Sequence, residues 1–319
     1  MDRRAFLHAS FLSALGIGGR GFAWKTMERA TRGQDDDLAR VDVIQAKARQ
    51  AGLEEFGVLR GDSYIAVGNA DASFVSTALK LCDALAKDFL KHFTDRKFKV
   101  TRPAHRMLVV ILADPNDFAS FMGDNPGSDV RGLYDLDAGW LAIPDNRGGP
   151  GGPRAERANS IVLFHEATHQ LCFESGLLNK LADIPLCVSE GLATYGETRR
   201  PDGRTAIGAR NNERIAVLRT LFDRAHKQQK PLTPLADLLV NDALLNEPET
   251  QQLAYAQSWS LIHMLMQASE DQTKLAAYLE QLKTRKDASK RLEDCEKHLG
   301  KPADLDERLK SYVAKLAKR

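Results

Sequence analysis

The pentapeptide His165-Glu166-Ala167-Thr168-His169 lies within a run, Arg154 to Ser175, that contains neither proline nor glycine. No other segment constrains the fold as much. Ile161, Val162, Phe164 and Leu171 give the run an apolar character and predict a buried helix. On such a helix, positions four apart lie about 40° apart around the axis, so both imidazoles reach the same point. Two buried imidazoles aimed at one point want a partner, and a metal ion supplies it. Glu166 follows the first histidine, where its carboxylate reaches a water beside the metal without binding the metal. That is the general-base position of zinc proteases.

Catalytic zinc usually takes three protein ligands and keeps a fourth position open. The segment Ser189-Glu190-Gly191-Leu192-Ala193-Thr194-Tyr195 offers the third ligand in Glu190, at the opening of a helix expected over 188–197. Gly191 leaves room beside it for close backbone approach. Thr194 and Glu197, one and two turns further on, are candidates to orient the imidazoles. The segment 176–185 is then the turn between two packed helices.

This combination resembles the gluzincins, the thermolysin- and aminopeptidase-like zinc peptidases. More narrowly, it is similar to the peptidase MA-like domain of unknown function found in exported bacterial proteins. The likeness rests on Gly132-Leu133-Tyr134, the apolar strand ending at Ile143, His165 to Leu171, Glu190 to Tyr195, and Tyr255-Ala256-Gln257-Ser258-Trp259. It runs roughly from Tyr64 to the C-terminus. Cys187 stands where a tryptophan is usual, a departure that concerns local packing. The resemblance implies one Zn2+ held by His165, His169 and Glu190, with Glu166 as base. It also implies that the strand ending near Ile143 lies above the metal as an edge onto which an extended peptide can pair. Tyr255 follows Glu190 at a spacing similar to that of the tyrosine in aminopeptidase-like gluzincins and is the candidate stabiliser of the oxyanion. Tyr195 and His263 are the alternatives. The Gly-x-Met-x-Asn motif of exopeptidases is absent, which disfavours recognition of a free N-terminus.

Forty-five basic and 43 acidic residues leave a formal net charge of +2, which excludes the strong basic excess of a nucleic-acid binder. No apolar run approaches the ~20 residues of a membrane-spanning helix, so no lasting membrane anchor is expected. The chain opens Asp2-Arg3-Arg4-Ala5-Phe6-Leu7-His8 and continues weakly apolar to Ile17, with Gly21 and Ala23 spaced as a cleavage site. This reads as a twin-arginine export signal over 1–23 with Trp24 as the first mature residue, destined for the periplasm or beyond. In that oxidising setting Cys82, Cys172, Cys187 and Cys295 either form disulfides, with Cys172–Cys187 the first pairing to consider, or remain buried thiols.

Residues 24–37 are polar and read as a linker, and 38–319 as one zincin-like domain with an α/β lobe to 153 and a helical lobe from 154. Strand candidates are 63–68, Met107 to Leu112, and a strand or hairpin over 133–143. Helices are expected over 38–53, from an Asp71 cap to His92, after Asp114, and over 154–175, 188–197, 211–227, 249–268, 272–298 and 305–318. The Gly- and Pro-rich stretch 145–153 lacks the Walker pattern and reads as a loop. Early strands and late helices argue an α+β fold, a small mixed sheet followed by a mainly helical lobe. The expected function is an exported zinc-dependent metallohydrolase, a peptidase acting on a peptide or protein through a zinc-activated water. The rival readings are a non-catalytic zinc-containing module that binds peptide or envelope partners, and a structural helical protein with fortuitous histidines.

Overall fold

The computed structural model describes residues 25–53, 55–123, 131–147, 153–200, 205–220 and 232–318. The export signal expected over 1–23 and its cleavage site lie outside them. Helix α1 (Lys25–Gln50) comes first. It includes the polar stretch expected as a linker. Met27, Glu28, Arg29 and Ala30 favour helix but carry no apolar period to announce it.

Five strands follow: β1 (Gly57–Arg60), β2 (Tyr64–Gly68), β3 (Met107–Leu112), β4 (Leu133–Asp135) and β5 (Trp140–Pro144). They form one sheet in the order β1-β2-β3-β5-β4. The central pairs β2–β3 and β3–β5 are parallel, and the outer pairs are antiparallel. Every residue of β2, β3 and β5 is buried, the pattern of strands covered on both faces. Alternate side chains divide between two layers. Ile65, Val67, Leu108, Val110, Trp140 and Ala142 pack with α1 and with α3 (Pro115–Met122). Tyr64, Ala66, Met107, Val109, Ile111, Leu141 and Ile143 face the larger core. Strand β1 has no sequence signal, because it is short and largely exposed, with no alternation to read.

The strand ending at Ile143 is not the sheet edge. It lies between β3 and β4, with Tyr134 opposite Leu141. The edge on this side is β4, the first arm of the 133–143 hairpin.

The Asp71 cap read from sequence is present, and the structure adds a second at Asp114, where a helix start was expected. Asp71 Oδ1 accepts the N–H groups of Ser73 and Phe74 at the start of α2 (Ala72–Asp95), at 3.0 and 3.3 Å. Asp114 Oδ1 does the same for Asn116 and Asp117 in α3.

The helical part comprises α4 (Pro153–Glu174), α5 (Leu186–Gly196), α6 (Asn212–Thr220), α7 (Leu235–Val240), α8 (Pro248–Leu265), α9 (Ser269–Leu282), α10 (Arg291–Leu299) and α11 (Pro302–Lys318). The chain is α+β, with its mixed sheet early and its helices late. One apolar core runs from the sheet through α4 to Leu316, so sheet and helices share it. The single helix expected over 272–298 is two helices. Arg285 turns inward to Asp183 and Asp294, and Asp287 caps the turn that leads to α10. No proline or glycine marks that break.

All four cysteines are free and buried, so the pairing Cys172–Cys187 does not form. Cys172 lies near Tyr134, whereas Cys187 has Asp242, Arg291 and Cys295 as electrostatic neighbours. Burial holds the Cys187 thiol up at about 12. No helix of the described residues is long and apolar enough to cross a membrane.

Candidate metal centre

Helix α4 is fixed to the sheet by Gln170, whose Nε2 donates to Gly139 O at 2.9 Å and Leu108 O at 3.3 Å. With Phe164, Ala167 and Leu171 buried beside it, this sets the rotation of the helix and turns His165 and His169 toward α5. The connection to α5 is held by a buried charge network. Asp183 accepts from Arg285 and Arg291, and Arg291 also binds Asp242 at 2.8 Å. Asp242 in turn accepts the Leu186 N–H at 3.0 Å, at a helix start whose own cap residue, Pro185, provides no side-chain bond.

Two glycines let α5 approach its neighbours. A Cβ on Gly196 would stand 2.1 Å from Thr168 Oγ1 of α4, and one on Gly191 would stand 2.6 Å from the Ser258 carbonyl oxygen of α8. Gly191 thus brings the backbone of α8 to the residue beside Glu190.

His165, His169 and Glu190 converge. Their ligand atoms lie within 4.8 Å of one another, a grouping that could hold a metal ion. Nε2 of His165 and Nε2 of His169 are 3.2 Å apart, and Glu190 Oε2 is 3.1 and 3.2 Å from them. Tetrahedral zinc with bonds of about 2.0–2.1 Å places its ligand atoms about 3.3 Å apart, so the triangle has the right size. The charges also fit. Glu190 and Glu197 are buried, and Arg214 is the cation paired with Glu197 at 2.7 Å. Burial disfavours a charged His165 imidazole, but hydrogen bonds to Glu190 and Glu197 outweigh it and raise the group to about 10. A cation held by the three donors would be favoured by the same negative charge.

The surrounding groups orient the donors. His165 Nδ1 donates to Glu197 Oε1 at 2.8 Å, which turns Nε2 toward the triangle. His169 Nδ1 is hydrogen-bonded to Ser189 Oγ at 3.3 Å. Glu197 also accepts from Arg214 and, through Oε2, from Asn211 at 2.8 Å. Burial opposes its charge, but His165 and Arg214 hold its carboxyl below the usual range. Thr194 does not orient an imidazole, because its hydroxyl donates to the carbonyls of Glu190 and Gly191 in its own helix.

Glu166 stands beside the triangle, and its Oε2 accepts the backbone N–H of Tyr134 at 2.8 Å. The edge strand therefore reaches the candidate base directly. Gly132 permits this contact. A Cβ there would stand 2.4 Å from Val162 Cγ1 and 3.2 Å from Glu166 Cγ.

Tyr255 lies at the cluster, its ring centroid 6.0 Å from that of His165, with the Arg214 guanidinium 5.3 Å from the same ring. The alternatives are engaged elsewhere. Tyr195 Oη pairs with His92 Nε2 at 3.1 Å, and His263 Nδ1 with Tyr312 Oη at 2.6 Å. Asn211, Arg214 and the Tyr134 amide had no signal in the sequence, since each acts on a residue distant along the chain.

A family model described as "Protein of unknown function (DUF1570)" matches residues 160–288. No curated protein matches the chain. The matched span contains all three converging donors, Glu166, Glu197, Arg214 and Tyr255.

Proposed function

We propose that the chain is a zinc-dependent hydrolase, a peptidase of gluzincin, peptidase MA-like type. The observation that carries this reading is the triangle of His165, His169 and Glu190 at tetrahedral spacing, with Glu166 beside it and the edge strand β4 against Glu166. His165, His169 and Glu190 would hold the ion, and a resident Zn2+ supplies Lewis acidity and lowers the pKa of water toward ~7. Glu166 takes the proton from the attacking water and returns it to the leaving amine. The Tyr255 phenol donates a hydrogen bond to the developing oxyanion. Glu197 holds the His165 tautomer throughout. A peptide or protein substrate lies along β4 in extended form. Export belongs to the same reading and rests on Arg3-Arg4 and the apolar stretch that follows.

Glu166→Gln separates catalysis from metal binding. The variant is expected to retain one zinc per chain and to lose hydrolysis of a broad peptide library that the unsubstituted protein digests. Undiminished turnover by the variant, or an unsubstituted chain without stoichiometric zinc, overturns the reading.

A further inference from the structure

Helix α6 gives no donor to the cluster, yet it meets the cluster at two residues. Asn211 Oδ1 caps the helix through the N–H groups of Glu213 and Arg214, while its Nδ2 binds Glu197 Oε2 at 2.8 Å. One turn on, Arg214 Nη2 binds Glu197 Oε1 at 2.7 Å, and its guanidinium lies 5.3 Å from the Tyr255 ring centroid. Glu197 Oε1 also accepts from His165 at 2.8 Å. One side chain thus touches the group that holds a metal donor and the ring that is to meet the oxyanion.

We propose that Arg214 is a positioning residue that fixes the His165 imidazole through Glu197 and the Tyr255 ring through its own planar face, setting both sides of the metal centre at once. The inference rests on the zinc reading above. Arginine suits the task because its planar fork pairs with a carboxylate while its face packs on an aromatic ring, which the compact ammonium of lysine does less well. A packing role alone does not account for it. The Arg214 Nε is buried and has no hydrogen-bond partner among the described residues. Burying that polar group costs free energy that an aliphatic side chain of similar length would not.

The test uses the full chain, with zinc affinity measured by competition against a chromophoric chelator and the visible spectrum recorded after Co2+ loading. Arg214→Met, which keeps Glu197 but frees it, is expected to weaken zinc binding by about 10-fold, the low end of the effect of losing a ligating histidine's own outer partner, and to shift the Co2+ spectrum. Arg214→Lys, which keeps a charge beside Glu197 but not the planar fork, is expected to bind zinc more tightly than Arg214→Met and less tightly than the unsubstituted chain. In a Glu197→Gln background, Arg214→Met is expected to cost nothing further, because its route to His165 is already broken. The chain has 6 tyrosines, so 13C-tyrosine labelling with Tyr255→Phe as the assignment control isolates the Tyr255 signal, which is expected to move in both Arg214 variants.

Equal zinc affinity in Arg214→Met and the unsubstituted chain overturns this proposal alone. So does equal impairment of the Met and Lys variants, additive losses in the Glu197→Gln background, or an unmoved Tyr255 signal. An unsubstituted chain that binds no zinc overturns the zinc reading and this proposal with it.

Discussion

Gly191→Ala tests whether the close approach of α5 and α8 sets the centre. The added methyl would stand 2.6 Å from the Ser258 carbonyl oxygen and 2.8 Å from Ile262 Cγ1, whereas ordinary contact begins at 3.4 Å. The carbonyl is helix backbone and Ile262 is buried, so relief requires the two helices to part by about 0.8 Å. Helix α5 is blocked on its other side, where Gly196 lies against Thr168. Helix α8 therefore moves and carries Tyr255, one turn from Ser258, away from His165. Alanine gains ~1 kcal/mol in helix propensity over glycine, and overpacking costs about 1–3 kcal/mol, for a net loss near 1 kcal/mol. The donors sit on α4 and α5, so zinc affinity should stay within about threefold. Turnover should fall by about 10–100-fold, as expected for a reacting group displaced by nearly 1 Å. Urea unfolding, chelator competition and peptide hydrolysis measure the three effects. A variant that gains stability and keeps full turnover refutes the reasoning.

Three further outcomes are expected. Gly132→Ala pushes on Val162 and Glu166 and should lower turnover by about tenfold with zinc retained, measured by metal content alongside peptide hydrolysis. Arg291→Met removes one of the two arginines on Asp183 and a cation beside Asp242 and should cost about 1.5–3 kcal/mol in urea unfolding; a loss below 1 kcal/mol contradicts the bracing role. Burial lowers His92 and His263 to about 4, with Arg96 and Arg210 adding to the effect. Because these folded values lie below the ordinary histidine value, the stability they contribute is present above about 6.5 and lost as pH falls toward 4. Unfolding curves between pH 7 and 4 should show that decline, with a shallower slope in His263→Gln.

Local features of the fold were the legible ones. The Asp71 cap, the helix start at Asp114, the apolar run of β3 and the helix carrying His165 and His169 each depend on neighbours a few positions away, and each was read where it stands. The break at Arg285 was invisible, because it comes from an ion pair with Asp183 about a hundred positions earlier. Strand order failed for the same reason. The sequence Trp140 to Pro144 reads as apolar whether it lies at an edge or in the middle, and only its pairing with β3 and β4 decides. At the centre, helical spacing pointed to both Thr194 and Glu197. Spacing alone could not tell that the threonine hydroxyl would bond its own helix while the glutamate turned to His165.

All three donors come from α4 and α5, within one short stretch of chain, while what holds them comes from elsewhere. The sheet grips α4 through Gln170, α6 grips Glu197, and the backbone of α8 presses on α5 at Gly191. The arrangement works as a vice, with a two-helix workpiece and three jaws. Substitution at a jaw loosens or tightens the workpiece without removing a donor. On the zinc reading proposed above, the affinity and reactivity of the centre are adjustable in small steps from positions that supply no donor, and damage far from the donors appears as a slack centre rather than a missing one.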